Sequence, residues 1–289
     1  MRVLVTGAGG LLGKAVTKYF QQSSEVAAFT HQGLNISDSA AVEKAVKDFS
    51  PTIIINCAAM ARVDACEAEW ASAEAANING PKHLATQAKA IGASLIHIST
   101  DYVFDGKKAS PYTTEDQPNP ISAYGRSKLL GEEAVIGTTD QYFIVRVARL
   151  FGIGGNNFGS KLFDYLSAAK KSGNKLKVCN YPVSQATYLP DLVIRLSEII
   201  EKNQTGIYQV TNGGEIVSWY EFTCLAIDMM GLEKDLLTIV DYPDLGLPAL
   251  RPHYSALRCL LSEKLGLPAL RDWQEGVKEI YQHFCEANN

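Results

Sequence analysis

The feature that most constrains this chain is a glycine cluster wedged between two apolar segments at its start. Val3-Leu4-Val5-Thr6 is a short apolar run, Gly7-Ala8-Gly9-Gly10 follows, and Leu11-Leu12-Gly13 opens a stretch with helical spacing. Between a strand and a helix, each glycine has a mechanical use. Gly7 can turn the chain tightly, Gly10 lets backbone approach a pyrophosphate, and Gly13 lets the helix pack against the strand. The helix start then offers free N–H groups and the positive end of its dipole to the phosphates. With 23 glycines in the chain, a glycine triplet alone says little. Its place after the first strand and before the first helix is what makes it specific.

The same alternation continues to about residue 150. Strands are predicted over 2–6, 26–30, 52–57, 94–99 and 142–147, and helices over 11–21, 40–49, 81–91 and 124–135. Apolar runs such as Ile53-Ile54-Ile55 carry no polar alternation, as expected of strands covered by helices on both faces. The fold class expected is α/β, a Rossmann-type doubly wound parallel sheet with a smaller α/β C-terminal substrate lobe. After Phe151 the texture changes to a Gly- and Asn-rich loop, a helical stretch from about 161 to 169, and shorter strands with more proline. The boundaries expected are 1–151 plus about 181–205 for the nucleotide-binding part, and about 152–180 plus 206–289 for the lobe. Gly-Leu-Pro-Ala-Leu-Arg occurs at 246–251 and again at 266–271, which is too short for a structural repeat.

Composition excludes several classes. A net charge of −4, with no Lys/Arg block longer than two, provides no basic face for nucleic acid. No apolar run approaches the length of a membrane span. The six cysteines are scattered without metal-ligand spacing and read as small hydrophobes of a reducing compartment, so no metal is expected. Met1-Arg2 leads straight into the first strand, which is not a signal-peptide pattern. A cytoplasmic protein is expected. Oligomeric state is open, a homodimer included.

Chemistry enters with Tyr124-Gly-Arg-Ser-Lys128, which places a phenol and an ammonium on one face of a helix. Tyr and Lys are frequent enough here that one such spacing is expected by chance. What raises this one is Ile98-Ser99-Thr100-Asp101, ending an apolar strand with hydroxyls at the edge where open α/β sheets bind ligands. A nearby ammonium lowers a tyrosine's pKa, which suits a general acid that protonates a carbonyl oxygen as hydride reaches carbon.

With the glycine loop, Asn56-Cys57-Ala58-Ala59, Ser99-Thr100-Asp101-Tyr102-Val103-Phe104-Asp105-Gly106 and Tyr124 to Lys128 together, the chain resembles the extended short-chain dehydrogenases/reductases. Within them it is similar to the dTDP-4-dehydrorhamnose reductase family. Val63-Asp64-Ala65-Cys66-Glu67, Ala186 to Leu192, Ser218 to Phe222 and Arg251-Pro252-His253-Tyr254-Ser255 extend the resemblance nearly end to end. It implies hydride transfer from NADPH or NADH to the 4-keto group of a nucleotide-sugar, with Thr100, Tyr124 and Lys128 as the catalytic trio. Gly7, Gly10, Leu11, Leu12 and Gly13 would hold the cofactor pyrophosphate, with Tyr124 and Lys128 also reaching the cofactor. Asn35 and Ile36 would contact the adenosine half, Asn35 departing from the usual Asp. Ala59, Met60 and Ala61 would line the cofactor beyond the 52–57 strand. Asp101 would neighbour the substrate. Arg149 stands where the family usually has a sugar-binding Trp, which puts the sugar's identity in question.

Other residues divide between roles. Arg251 is a candidate for the substrate diphosphate, since a guanidinium forks onto phosphate. Trp219 and Tyr220 could line a sugar site, but Ser218-Trp219-Tyr220-Glu221 reads first as an N-capped helix, His97 as a satisfied core residue, and Asp64 with Glu67 as a solvated helix start. Thr30-His31-Gln32 offers neither the acid that holds a ribose diol nor an Arg for a 2′-phosphate, so NAD and NADP remain open. Two rivals stand beside the reductase. One is another NDP-4-keto-sugar reductase or an epimerase; a dehydratase is disfavoured because Asp101 is followed by Tyr102 where that group has Glu. The other is a non-catalytic NADP-binding regulatory subunit like that of methionine adenosyltransferase.

Overall fold

The apolar runs form the parallel sheet that their composition requires. The computed structural model describes residues 1–288. Its principal elements are β1 (Arg2–Thr6), α1 (Leu11–Phe20), β2 (Glu25–Phe29), α2 (Ser39–Phe49), β3 (Ile53–Asn56), α3 (Val63–Ala68), α4 (Gly80–Ile91), β4 (Ser94–Thr100), α5 (Ala123–Ile136) and β5 (Tyr142–Val147). Then come α6 (Leu162–Ser172), α7 (Leu189–Lys202), β6 (Gly206–Val210), α8 (Trp219–Met229) and α9 (Trp273–Asn288). All six strands are parallel, in the order β6-β5-β4-β3-β1-β2. Strand order therefore reverses between β1 and β3, and the crevice outside their carboxyl ends is where such sheets bind ligands.

Alternate residues of each strand feed opposite layers. Val3, Val5, Ile53 and Ile55 pack with Leu12, Val16 and Phe20 of α1 and with Leu192, Leu196 and Ile199 of α7. Leu4 and Ile54 pack on the other face with Val42 and Val46 of α2, Leu84 and Ala88 of α4, and Val135 of α5. A separate cluster built on Phe151, Leu166, Phe222, Trp273 and Val277 forms the core of the lobe. Ser218 and Glu221 start α8 with a reciprocal capping box.

The boundary drawn at 206 is corrected. Gly206–Val210 pairs with β5 and completes the central sheet, and Cys259 and Leu267 pack on the same face as α1 and α7. Its sequence hid this, because Gln209 interrupts the apolar run. Gln209 is buried and donates to Tyr112 O (2.6 Å) and Arg258 O (2.9 Å), bonds that no periodicity reveals.

The two hexapeptides share more than letters. Each begins on a glycine with left-handed backbone (φ 62° at Gly246, 65° at Gly266) and ends on an arginine that grips an aspartate. Arg251 binds both oxygens of Asp64 at 2.6 Å, and Arg271 Nε binds both of Asp191 at 3.1 and 2.9 Å. Among the described residues no helix is long and apolar enough to cross a membrane.

Candidate active site

Loops leaving β1, β3, β4 and β5 converge with the start of α5 on a long cleft made of two joined cavities, about 640 and 560 Å³. Gly10, Cys57 and Ala59 line both. Gly7, Asn35, Ile36 and Met60 lie in the first; Leu11, Leu12, Gly13, Ala61, Thr100, Asp101, Tyr124, Lys128 and Arg149 lie in the second. Two positions of the glycine loop, Gly7 and Gly13, leave no room for a side chain. A Cβ on Gly13 would stand 2.1 Å from Gly7 O, and one on Gly7 2.6 Å from Ala58 N, with Gly7 already at φ +68°. No side chain caps α1, so its first N–H groups are orphan donors facing the cleft. That donor set, backbone only and at a helix N-terminus, fits a dinucleotide pyrophosphate. Asn77, buried, pins the opposite wall: it bonds Met60 N (2.8 Å) and Met60 O (3.1 Å), and donates to Ser127 Oγ (2.9 Å) beside Lys128.

Thr100, Tyr124 and Lys128 come together in the second cavity. Ser122 caps α5 by accepting from Gly125 N at 3.1 Å, which places Tyr124 and Lys128 on its first two turns. Thr100 ends β4, donates to Asp101 Oδ1 (3.1 Å), accepts from Tyr102 N (3.2 Å) and lies beside the Tyr124 hydroxyl. Burial holds the Tyr124 hydroxyl above its ordinary pKa, with the neighbouring Thr100 acting in the opposite direction. Lys128 Nζ donates to Ile98 O at 2.7 Å and lies 3.4 Å from His97 Nε2. Burial pulls its pKa down to about 8, against Glu132 and Cys57, which favour the ammonium. The expectation that Lys128 draws the phenol toward neutrality is therefore not met. Desolvation dominates and favours the protonated phenol at Tyr124.

On the far side of Tyr124 lies a polar wall. Ser255 Oγ donates to Asp101 Oδ2 at 2.5 Å. Burial raises the Asp101 carboxyl to about 6, while bonds from Ser255 and Thr100 and the charge of Arg149 oppose the rise. Arg149 takes up a left-handed backbone (φ 44°) and turns its side chain into the cleft. Its guanidinium lies 4.7 Å over the Trp219 ring and donates to Val217 O and Pro182 O.

Residues 1–286 match the family described as RmlD substrate binding domain. The chain belongs to that family. Among RmlD-family relatives, a dTDP-4-dehydrorhamnose reductase of Streptomyces griseus is 35% identical, over 98% of this chain and 94% of that one. Methionine adenosyltransferase 2 subunit beta of Mus musculus is also 35% identical, over 96% of this chain and 86% of its own length. A solved structure of the Bacillus anthracis dTDP-4-dehydrorhamnose reductase in complex with NADP superposes with a TM-score of 0.90 at 31% identity, covering 98% and 99% of the two chains.

Within this RmlD-family chain the structure departs from the sequence reading at Arg251 and at Asp64 with Glu67. Arg251 does not line the cleft; its guanidinium is spent on Asp64 and on Ala249 O, beneath the Tyr242 ring. Asp64 and Glu67 are not merely solvated. Asp64 also accepts from Ala249 N, and Glu67 accepts from Ala123 N (2.8 Å) just ahead of Tyr124. Their partners lie 185 and 56 residues away, beyond the reach of local pattern. Trp219 both starts α8 and lines the cleft beneath Arg149. The sequence reading assigned no role to Asn77 or Ser255. Ser255 lay inside the Arg251–Ser255 string that carried part of the resemblance.

Proposed function

We propose that this chain is a dTDP-4-dehydrorhamnose reductase that uses NADPH or NADH and takes dTDP-4-dehydro-L-rhamnose as its substrate. The observation that carries this is one continuous cleft. It joins the glycine loop to a half-buried Tyr124 whose hydroxyl desolvation holds above its ordinary pKa, with Thr100 and Lys128 lining the same cavity. A nicotinamide, when bound, supplies hydride to the 4-keto carbon. The chain's part is to hold and move a proton at the ketone oxygen. Thr100 and Tyr124 bracket that oxygen, and the Tyr124 hydroxyl gives up its proton as negative charge develops there. The resemblance stated above carries Gly7, Gly10, Leu11, Leu12 and Gly13 to the pyrophosphate. It carries Asn35, Ile36, Ala59, Met60 and Ala61 to the adenosine side and cofactor wall, and Asp101 and Arg149 to the sugar. Arg251 acts on that wall through Asp64 instead of at the diphosphate.

A non-catalytic, NADP-binding role is the second reading, favoured by the equal identity to methionine adenosyltransferase 2 subunit beta. Oxidation of NAD(P)H by the purified protein with dTDP-4-dehydro-L-rhamnose separates the two. Turnover that falls about 10²-fold in Tyr124→Phe, with NADPH binding retained by calorimetry, supports the reductase. A wild-type protein that binds NADPH and reduces no 4-keto-sugar in a panel sinks it.

A further inference from the structure

Behind Lys128 a buried chain of side chains fixes which way the protons point. Ala58 N donates to Asn56 Oδ1 at 3.1 Å, and the Thr6 hydroxyl donates to the same oxygen at 2.6 Å. A backbone N–H only donates, so the carboxamide oxygen faces Ala58 and its nitrogen faces the other way. That nitrogen lies 2.9 Å from His97 Nδ1. An amide nitrogen also only donates, so Nδ1 must present its lone pair. The imidazole is then neutral and carries its single proton on Nε2. Thr6, Asn56 and His97 are all fully buried, so no solvent exchange relaxes this order.

His97 Nε2 points this proton at Lys128 Nζ, 3.4 Å away. An ammonium has three N–H groups and no lone pair, so it opposes N–H with N–H. A neutral amine answers with its lone pair. The remaining acceptor at Lys128 is Ile98 O. We propose that His97, held in the Nε2–H tautomer by Asn56, is a positioning residue that weakens proton binding at Lys128. The proposal rests on the reading of Lys128 as a member of the catalytic trio, and gives that lysine a means to exchange its proton near neutral pH.

The other groups around Lys128 are few. Cys57 faces it from the loop after β3, and Glu132 from the next turn of α5, with Arg146 of β5 engaged on Glu132. Glu132 favours the ammonium; His97 works against it. Burial by itself brings Lys128 down to about 8, and burial with the Lys128 charge keeps His97 uncharged.

Nitrogen-15 NMR of the full-length protein tests this without turnover. His97 is expected neutral, with its proton on Nε2, from about pH 6 to 9. The Lys128 side chain should titrate near 8 in the wild type. In His97→Gln, whose carbonyl oxygen can accept from the ammonium, the midpoint should rise by about one pH unit. The pH profile of kcat should move with it.

A proton on Nδ1, a charged His97, or an unmoved Lys128 midpoint in folded His97→Gln overturns the proposal. If that variant does not fold, the wild-type tautomer decides alone: Nε2–H supports and Nδ1–H refutes. Absence of any reductase activity would defeat the functional reading and leave these spectra standing. Full activity with an unmoved Lys128 would defeat this inference alone.

Discussion

Glu132→Gln probes the buried charge pair that ties α5 to the sheet. Glu132 lies one turn beyond Lys128 on α5, and Arg146 reaches it from β5. Nε approaches both carboxylate oxygens (2.9 and 3.2 Å) and Nη2 one of them (2.6 Å). Ser99 of β4 donates to the same carboxylate. The two charged side chains are 2% and 1% exposed, so water cannot replace a lost partner. The guanidinium has little else. It lies 5.2 Å over the Phe104 ring, and its Nη1 has no hydrogen-bond partner among the described residues. Neutralising Glu132 leaves a buried cation uncompensated, which costs about 3–5 kcal/mol. At about 2 °C per kcal/mol for a chain of this size, Tm should fall by about 6–10 °C. The double change Glu132→Leu with Arg146→Met removes both charges and should lie within about 2 kcal/mol of the wild type. Thermal unfolding followed by circular dichroism reads both. A Glu132→Gln protein within about 1 kcal/mol of the wild type would refute the reasoning. So would a double variant as unstable as the single.

Three further outcomes are expected. Gly13→Ala forces a Cβ to within 2.1 Å of Gly7 O, so α1 must move and NADPH affinity by calorimetry should drop about tenfold or more, at least 1.4 kcal/mol; unchanged affinity would show that the loop does not carry the phosphates. NADH and NADPH should bind within about tenfold of each other, because His31 is the one side chain of the Thr30-His31-Gln32 turn that lines the adenosine cavity; a hundredfold preference measured by the same method refutes this. Asp101 holds its proton up to about 6 instead of the usual 3.8, so its contribution is full below 3.8 and lost as pH rises through 6. That amounts to about 3 kcal/mol, and a stability difference between wild type and Asp101→Asn that stays flat from pH 3.5 to 6.5 in urea titrations would contradict it.

The sheet was legible because burial on both faces leaves unbroken apolar runs, and β1, β3, β4 and β5 all carry one. The glycine loop and the Tyr124–Lys128 pair were legible because their parts lie within a turn or two of each other. What escaped was whatever depends on distant partners. Nothing near Arg251 announces that Asp64, 187 residues earlier, will occupy it. His97 read as a satisfied core residue, and so it is, bonded to Asn56. Its second nitrogen faces Lys128, 31 residues on, and that shows only when β4 and α5 pack. Tyr124 taught the opposite lesson. Its spacing from Lys128 suggested a lowered pKa, but the depth of the cleft, invisible in sequence, sets the sign.

The grip of Arg251 on Asp64 and of Ser255 on Asp101 closes loops of 187 and 154 residues. During synthesis, the glycine loop, Thr100 and Tyr124 emerge long before Arg251 and Ser255. The nascent sheet must therefore exist for a time with its cleft unroofed and Asp64 and Asp101 without their late partners. Contacts of such separation are the slow ones to form. A ribosome-bound chain stopped before residue 246 should already hold the glycine loop, Asp101, Arg149 and Trp219, yet lack Arg251 and Ser255. The cleft's last two polar clasps thus close only when the end of the chain arrives.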